Sequence, residues 1–89
     1  MTAPQIRDDL TIVELDGEAV VYDERSGGIH HLNPGATLVL SMLDGSTLID
    51  DLVREIAEAV DEPREKLERQ IAAIVQRFAE AGLLKNVRS

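Results

Sequence analysis

The 89 residues contain no cysteine, so disulfides, thiolate metal sites, iron–sulfur clusters and a cysteine nucleophile are excluded. Tryptophan is absent too, and Tyr22 and Phe78 are the only aromatic residues. The core must therefore be aliphatic, built from Leu, Ile, Val and Ala. The longest apolar run, Ala36 to Leu40 with its continuation to Leu43, is far short of the ~20 residues a membrane span needs. The N-terminus lacks the basic start and apolar stretch of a signal peptide. A cytoplasmic protein that does not enter membranes is expected.

What is present fits one globular domain. Hydrophobic residues make up 44% and charged residues 29%, too apolar for disorder, and a chain of this length can bury roughly 60 to 65% of its unfolded surface. The charge is unevenly placed. Met1 to Glu62 holds 3 basic and 14 acidic residues, a balance of −11, and Pro63 to Ser89 holds 6 basic and 3 acidic, a balance of +3, which sum to the net −8. An acidic body with a basic final segment can steer an acidic ligand toward that segment, although a solvated helix surface gives the same pattern.

Along the chain, residues 1–9 read as a flexible, frayed lead-in without a motif, and residues 10–85 as the domain. Leu10 to Leu15 is a short β-rich run, Asp16-Gly17 a two-residue hairpin signal, and Glu18 to Asp23 the return strand. A polar turn closed by Gly27-Gly28 leads to a third strand, Ile29 to Leu32. Asn33-Pro34 then signals a helix start and Asp44-Gly45 its end. Apolar residues on nearly every side make this first helix the expected centre of the core. Thr47 with Asp50 resembles a capping box for a second helix with Leu48, Ile49, Leu52, Val53, Ile56 and Val60 on one face. Asp61-Glu62-Pro63 opens a third helix of about twenty residues, ~30 Å long, which Gly82 stops and onto which Leu83 and Leu84 fold back. The fold class is α+β, a three-stranded antiparallel sheet followed by three helices.

No catalytic set emerges. His30 and His31 are adjacent on a strand and point to opposite faces, so they cannot close on one ion. Ser26, Ser41, Ser46 and Thr47 lie at turn, helix and cap positions, none in a nucleophile elbow. Gly27-Gly28 lies between two strands and lacks the Lys-Ser/Thr of a phosphate loop. Asp50, Asp51, Glu55 and Glu58 share one side of a helix with no second arm for a dyad or a calcium loop. A protein that is not an enzyme, with no metal and no cofactor, is expected.

A surface remains. In a three-stranded meander the first and third strands are edges, and natural edges are commonly guarded by Lys, Pro or bulges. Gly28-Ile29-His30-His31-Leu32 has no such guard, so it can template an extended peptide as a fourth strand, with His30 among the edge donors. The alternative is that the third helix or another subunit covers it.

The series Leu15-Asp16-Gly17-Glu18-Ala19-Val20-Val21-Tyr22-Asp23, Gly28, His31-Leu32-Asn33-Pro34, Leu43-Asp44-Gly45 and Ala81-Gly82-Leu83-Leu84 resembles the PqqD-like family of RiPP recognition elements. The order of these pieces, more than any one of them, carries the resemblance, and it spans nearly the whole chain. It implies a winged helix-turn-helix-like domain that binds the leader of a ribosomally made precursor peptide beside the third strand, in a groove shared with the third helix. Gly28, Ile29, His30, His31 and Leu32 would then form one wall, and Lys66, Leu67, Gln70, Ile71, Ile74 and Arg77 the other. For Leu67, Ile71 and Ile74, plain core membership explains the spacing equally. Gln70 stands where the family often has an acidic residue, and the basic helix suggests an acidic leader. The N-terminal segment lacks the Arg-rich pattern of pyrroloquinoline-quinone pathway members, which favours lasso-peptide or radical-SAM-modified products. The implied partners are a leader peptide and a peptide-modifying enzyme, such as a radical SAM enzyme or a leader peptidase. Nucleic-acid binding by the basic helix is the main competing reading, opposed by an acidic body facing one phosphate charge per ~1.7 Å of duplex. A homodimerising adaptor that self-associates through the open edge is a third.

Overall fold

The computed structural model describes residues 3–85; Met1 and Thr2 of the expected lead-in and Arg88 of the basic segment lie outside them. Strands β1 (Thr11–Leu15), β2 (Glu18–Asp23) and β3 (Gly28–Leu32) precede helices α1 (Pro34–Ser41), α2 (Ile49–Ala59) and α3 (Arg64–Glu80). The sheet order is β1-β2-β3, antiparallel throughout. This is the expected α+β winged-helix-like arrangement.

Asp16 and Gly17 both take positive φ, 55° and 81°, the backbone of a two-residue hairpin whose twist suits its strands. That turn makes Leu15 and Glu18 a hydrogen-bonded pair, and pairs alternate from there. Val20 and Tyr22 of β2 therefore bond to β1, whereas Ala19, Val21 and Asp23 bond to Leu32, His30 and Gly28 of β3. The same alternation directs Ala19, Val21 and Leu32 inward, where all three are buried.

Asn33 caps α1, its Oδ1 accepting the Ala36 N–H at 2.8 Å with Pro34 in the first turn. Ala36, Val39 and Leu40 face the sheet and α3, and Leu38 points outward. The helix ends at Ser41, earlier than expected. The Met42 and Leu43 amides turn back to Val39 and Leu40, which delivers Leu43 into the core. The expected Thr47 capping box does not form. Instead Asp44 Oδ1 accepts the amides of Ser46 and Thr47 at 2.9 and 3.0 Å, and α2 begins after Leu48 without a side-chain cap. The side chain that could have capped the helix is engaged by the preceding turn. Asp50 and Asp51 still favour the positive helix end.

Leu52, Val53 and Ile56 of α2 pack with Leu67, Ile71 and Phe78 of α3 and with Leu83 in one cluster. Burying a side chain such as Leu52 stabilises by about 1.5–3 kcal/mol. At the end of α3, the Leu83 amide reaches Phe78 O and the Gly82 amide reaches Ala79 O, with Gly82 at φ 76°. This closure folds Leu83 against the helix as expected.

Residues 3–9 depart from the expected lead-in. The Ile6 amide donates to Leu43 O and the Arg7 amide to Leu83 O, while the Gly45 and Lys85 amides donate to Pro4 O and Gln5 O. The segment is a strap joining the α1–α2 turn to the chain after α3. Its polar sequence concealed this, because the strap is held by backbone groups and by one arginine. Gly45 has φ 84°, a backbone that favours glycine, and a Cβ there would also make the Gln5 side chain of the strap swing aside.

Candidate functional site

A groove of about 610 Å³ opens between β3 and the C-terminal half of α3, lined by Ile29, His30, His31 and Leu32 on one wall and Ile74, Arg77, Phe78 and Ala81 on the other. Ala36 and Leu83 also line it; with Leu32 and Phe78 they are buried and form an apolar floor. Glu18 and Asn33 complete the lining.

The backbone of β3 determines what this groove can accept. With Gly28, His30 and Leu32 paired to β2, the N–H and C=O groups of Ile29 and His31 point away from the sheet. The expectation that His30 offers an edge donor is therefore incorrect: its amide belongs to the ladder with Val21. No Lys, Pro or bulge interrupts the edge, and α1 rests on the sheet's inner side. Ile29 is 60% exposed.

The structure divides the residues singled out from the sequence. Ile29, His30, His31, Leu32, Ile74 and Arg77 come together at the groove. Leu67 and Ile71, 5% and 2% exposed, are instead core residues packed with α2. Lys66 is held by Glu62 at 3.4 Å, on the turn before α3, and neither it nor Gln70 lines the groove. Gly28 does not line it either, but its missing side chain makes room: a Cβ there would meet His30 Nε2 and Ser26 Oγ at 3.2 Å. Sequence reasoning missed Glu18, Asn33, Ala36, Phe78, Ala81 and Leu83. Phe78 and Ala81 continue the spacing of Ile74 and Arg77 by helical steps, so extending that face toward the C-terminus would have found them.

Charge in the groove is sparse. Arg64 and Lys66 are held by Glu68 and Glu62, whereas Arg77 makes no ion pair among the described residues. Among those residues no group of three or more His, Asp or Glu side chains could hold a metal ion, and no helix is long and apolar enough to cross a membrane.

An ion-pair cluster lies outside the groove, beside the chain that follows α3. Arg7 donates to both Asp23 carboxylate oxygens, at 2.9 and 3.2 Å, to Asp9 and to the Gly82 carbonyl. Arg7's hydrogen bonds, helped by those from Ser26 Oγ and the Arg25 amide, hold the Asp23 carboxyl down to about 2 against the desolvating effect of burial. The pair's hydrogen bonds also raise the Arg7 guanidinium above its ordinary value. One side chain thus ties the strap, the β2–β3 turn and the end of α3 together.

The family model for coenzyme PQQ synthesis protein D (PqqD) matches residues 18–84, a span from the start of β2 to the residue after the α3 closure. The chain belongs to the PqqD family. Among solved structures, this PqqD-family chain is similar to a lasso peptide synthetase B1 complexed with the leader peptide, at 26% identity and TM-score 0.81, over 93% of this chain and 98% of that one. It shares its fold with TbiB1 in complex with the TbiA(beta) leader peptide, at 20% identity and TM-score 0.83, over 96% and 99% of the two chains. The heterocyclase TruD contains the same fold, at 21% identity and TM-score 0.69, matching all of this chain but 12% of that one. None of the curated proteins matches.

Proposed function

We propose that this PqqD-family protein is a non-catalytic peptide chaperone, which binds the leader of a ribosomally made precursor as a fourth strand on β3 and presents it to a modifying enzyme. The observation that carries this reading is the unguarded edge of Ile29 and His31 opening directly onto the apolar groove under α3. A strand paired there satisfies those backbone groups and directs alternate side chains into the groove. One apolar leader side chain is buried against Ile74, Phe78 and Leu83, and an acidic neighbour faces Arg77. The likeness to a lasso peptide synthetase B1 complexed with the leader peptide supports a leader peptide as the ligand, with a leader peptidase or a radical SAM enzyme as the partner it serves. Holding the leader raises the effective concentration of the attached core peptide at the enzyme, which needs no catalytic group in this chain.

The test is a calorimetric titration of synthetic leaders, taken from any short precursor frame encoded near this chain, into wild-type protein and Ile29→Pro. Proline at Ile29 removes an outward donor while sparing the ladder to β2, and leaving the leader's carbonyl unpaired costs about 1–3 kcal/mol. The expected outcome is about 10-fold or greater weakening. Unchanged affinity in a folded variant would rule out strand addition at β3.

A further inference from the structure

The two histidines of β3 both border the groove but stand on opposite faces of the strand. His30 pairs with the fully buried Val21, so its imidazole shares the inner face with Leu32. His31 pairs with Val20 and belongs to the outer face. The ring of His30 lies over Gly28, its Nε2 3.2 Å from where a Cβ of that glycine would stand. The adjacent Ser26 hydroxyl donates to Asp23 and accepts from the Gly28 amide, and among the described residues no group of the protein hydrogen-bonds the imidazole. The charges around it are few. On β2, Asp23 shares the inner face, but both its carboxylate oxygens are taken by Arg7 of the strap. Glu24 and Arg25 of the following turn are exposed, with Arg25 drawn to Asp9, and α1 carries no charged residue. On the opposite wall, α3 presents Arg77. Glu18 lines the groove too, but it precedes Ala19, the partner of Leu32, and so stands at the other end from His30.

We propose that His30 selects the leader: the leader residue opposite His30 is acidic, the one opposite Leu32 is apolar, and binding tightens as the imidazole gains its proton. This rests on the strand addition to β3 set out above. Residues of an added strand that lie opposite His30 and Leu32 share their face and enter the groove, and the pleat sets them two positions apart. The residue over Leu32 meets the buried floor of Ala36, Phe78 and Leu83, which suits an aliphatic or aromatic side chain. The residue over His30 enters between the imidazole and Arg77, away from Glu18. A basic side chain there is repelled by Arg77. An acidic one accepts from the guanidinium and, once the ring is charged, from the imidazolium as well. Histidine is the side chain that changes charge between about pH 5 and 8. Asp23, held at about 2, stays ionised throughout that range, as does a leader carboxylate.

The test is a calorimetric titration of the same synthetic leaders, N-acetylated and with any histidine replaced by glutamine, at about pH 8 and about pH 6. Affinity is expected to rise about 5-fold at the lower pH, the effect of one partly exposed ion pair. Exchanging the leader's acid for its amide, Asp to Asn or Glu to Gln, should flatten this profile, and so should His30→Gln; the two changes together should flatten it no further. The leader exchange keeps the test independent of how the variant folds. A leader bound equally at both pH values overturns the inference, and so does a dependence that survives His30→Gln or that His31→Gln removes. Those results leave strand addition standing, because Ile29→Pro reads it at a single pH. Absence of binding at both pH values overturns the leader reading and this inference together.

Discussion

The two halves of α3 have the same apolar spacing but different surroundings. Leu67 and Ile71, in the first half, meet α2 and are sealed in the core. Ile74 and Arg77, in the second, meet the open edge of β3 across a groove. Periodicity marks the face of a helix that will be covered; what covers it depends on the elements opposite. The first half is covered by this chain itself, and the second borders an open groove.

The largest effects should come from the first half. Leu67→Ala and Ile71→Ala each remove a buried side chain and are expected to cost about 2–5 kcal/mol of folding free energy. The loss would appear in urea unfolding, while the folded fraction binds leader with wild-type affinity. A Leu67→Ala protein of normal stability but weak leader binding would break the distinction. The second half should show the opposite pattern. Ile74→Asp places a charge on the groove wall and is expected to weaken leader binding by about 10-fold or more, the effect of about 1.4 kcal/mol, with a smaller loss of stability because Ile74 is only half-buried. Arg77→Ala should weaken binding less and reduce its dependence on salt, since an exposed ion pair contributes up to about 1 kcal/mol.

The strap gives the stability of the fold a pH dependence. Arg7 bridges Asp23 and the carbonyl of Gly82 just beyond α3, so the tie between the strap, the β2–β3 turn and the end of α3 depends on a charged Asp23. The folded carboxyl sits at about 2 against an ordinary 3.8, and a lowered value means that the unfolded chain takes up the proton first. The stabilisation is complete above about pH 5 and is lost as the pH falls from about 4 to 2. Asp9 and Asp44, also lowered by hydrogen bonds, add in the same direction. Thermal unfolding should show a melting temperature falling steeply across that window, and Asp23→Asn should lower the neutral value and flatten the fall. The smallest effect is expected at Lys66→Ala, within about 0.5 kcal/mol in stability and without change in leader affinity.

Much of the architecture was legible because local chemistry and global fold agree. Asp16-Gly17 selects its hairpin, Asn33-Pro34 starts α1, and Gly82 stops α3. The strap was not legible, since backbone hydrogen bonds leave no side-chain signature and Arg7 looks like any surface arginine until Asp23 is placed beside it. Thr47 misled for a related reason: Asp44, three residues earlier, accepts from both its amide and its hydroxyl. At the site, the strand wall could be read because an unguarded edge is visible in composition. The helix wall was placed half a helix too early, because spacing alone does not say where α2 stops covering α3. The backbone of His30 was misassigned because the inward or outward direction of a strand amide depends on the register set at the Asp16-Gly17 turn.

The most direct test of leader binding on β3 is amide hydrogen exchange with and without the synthetic leader. In the free protein the Ile29 and His31 amides should exchange rapidly while those of His30 and Leu32, bonded to β2, are protected; on saturation with leader, Ile29 and His31 should become protected as well. A bound leader that leaves the Ile29 and His31 amides exchanging as in the free protein would contradict the account.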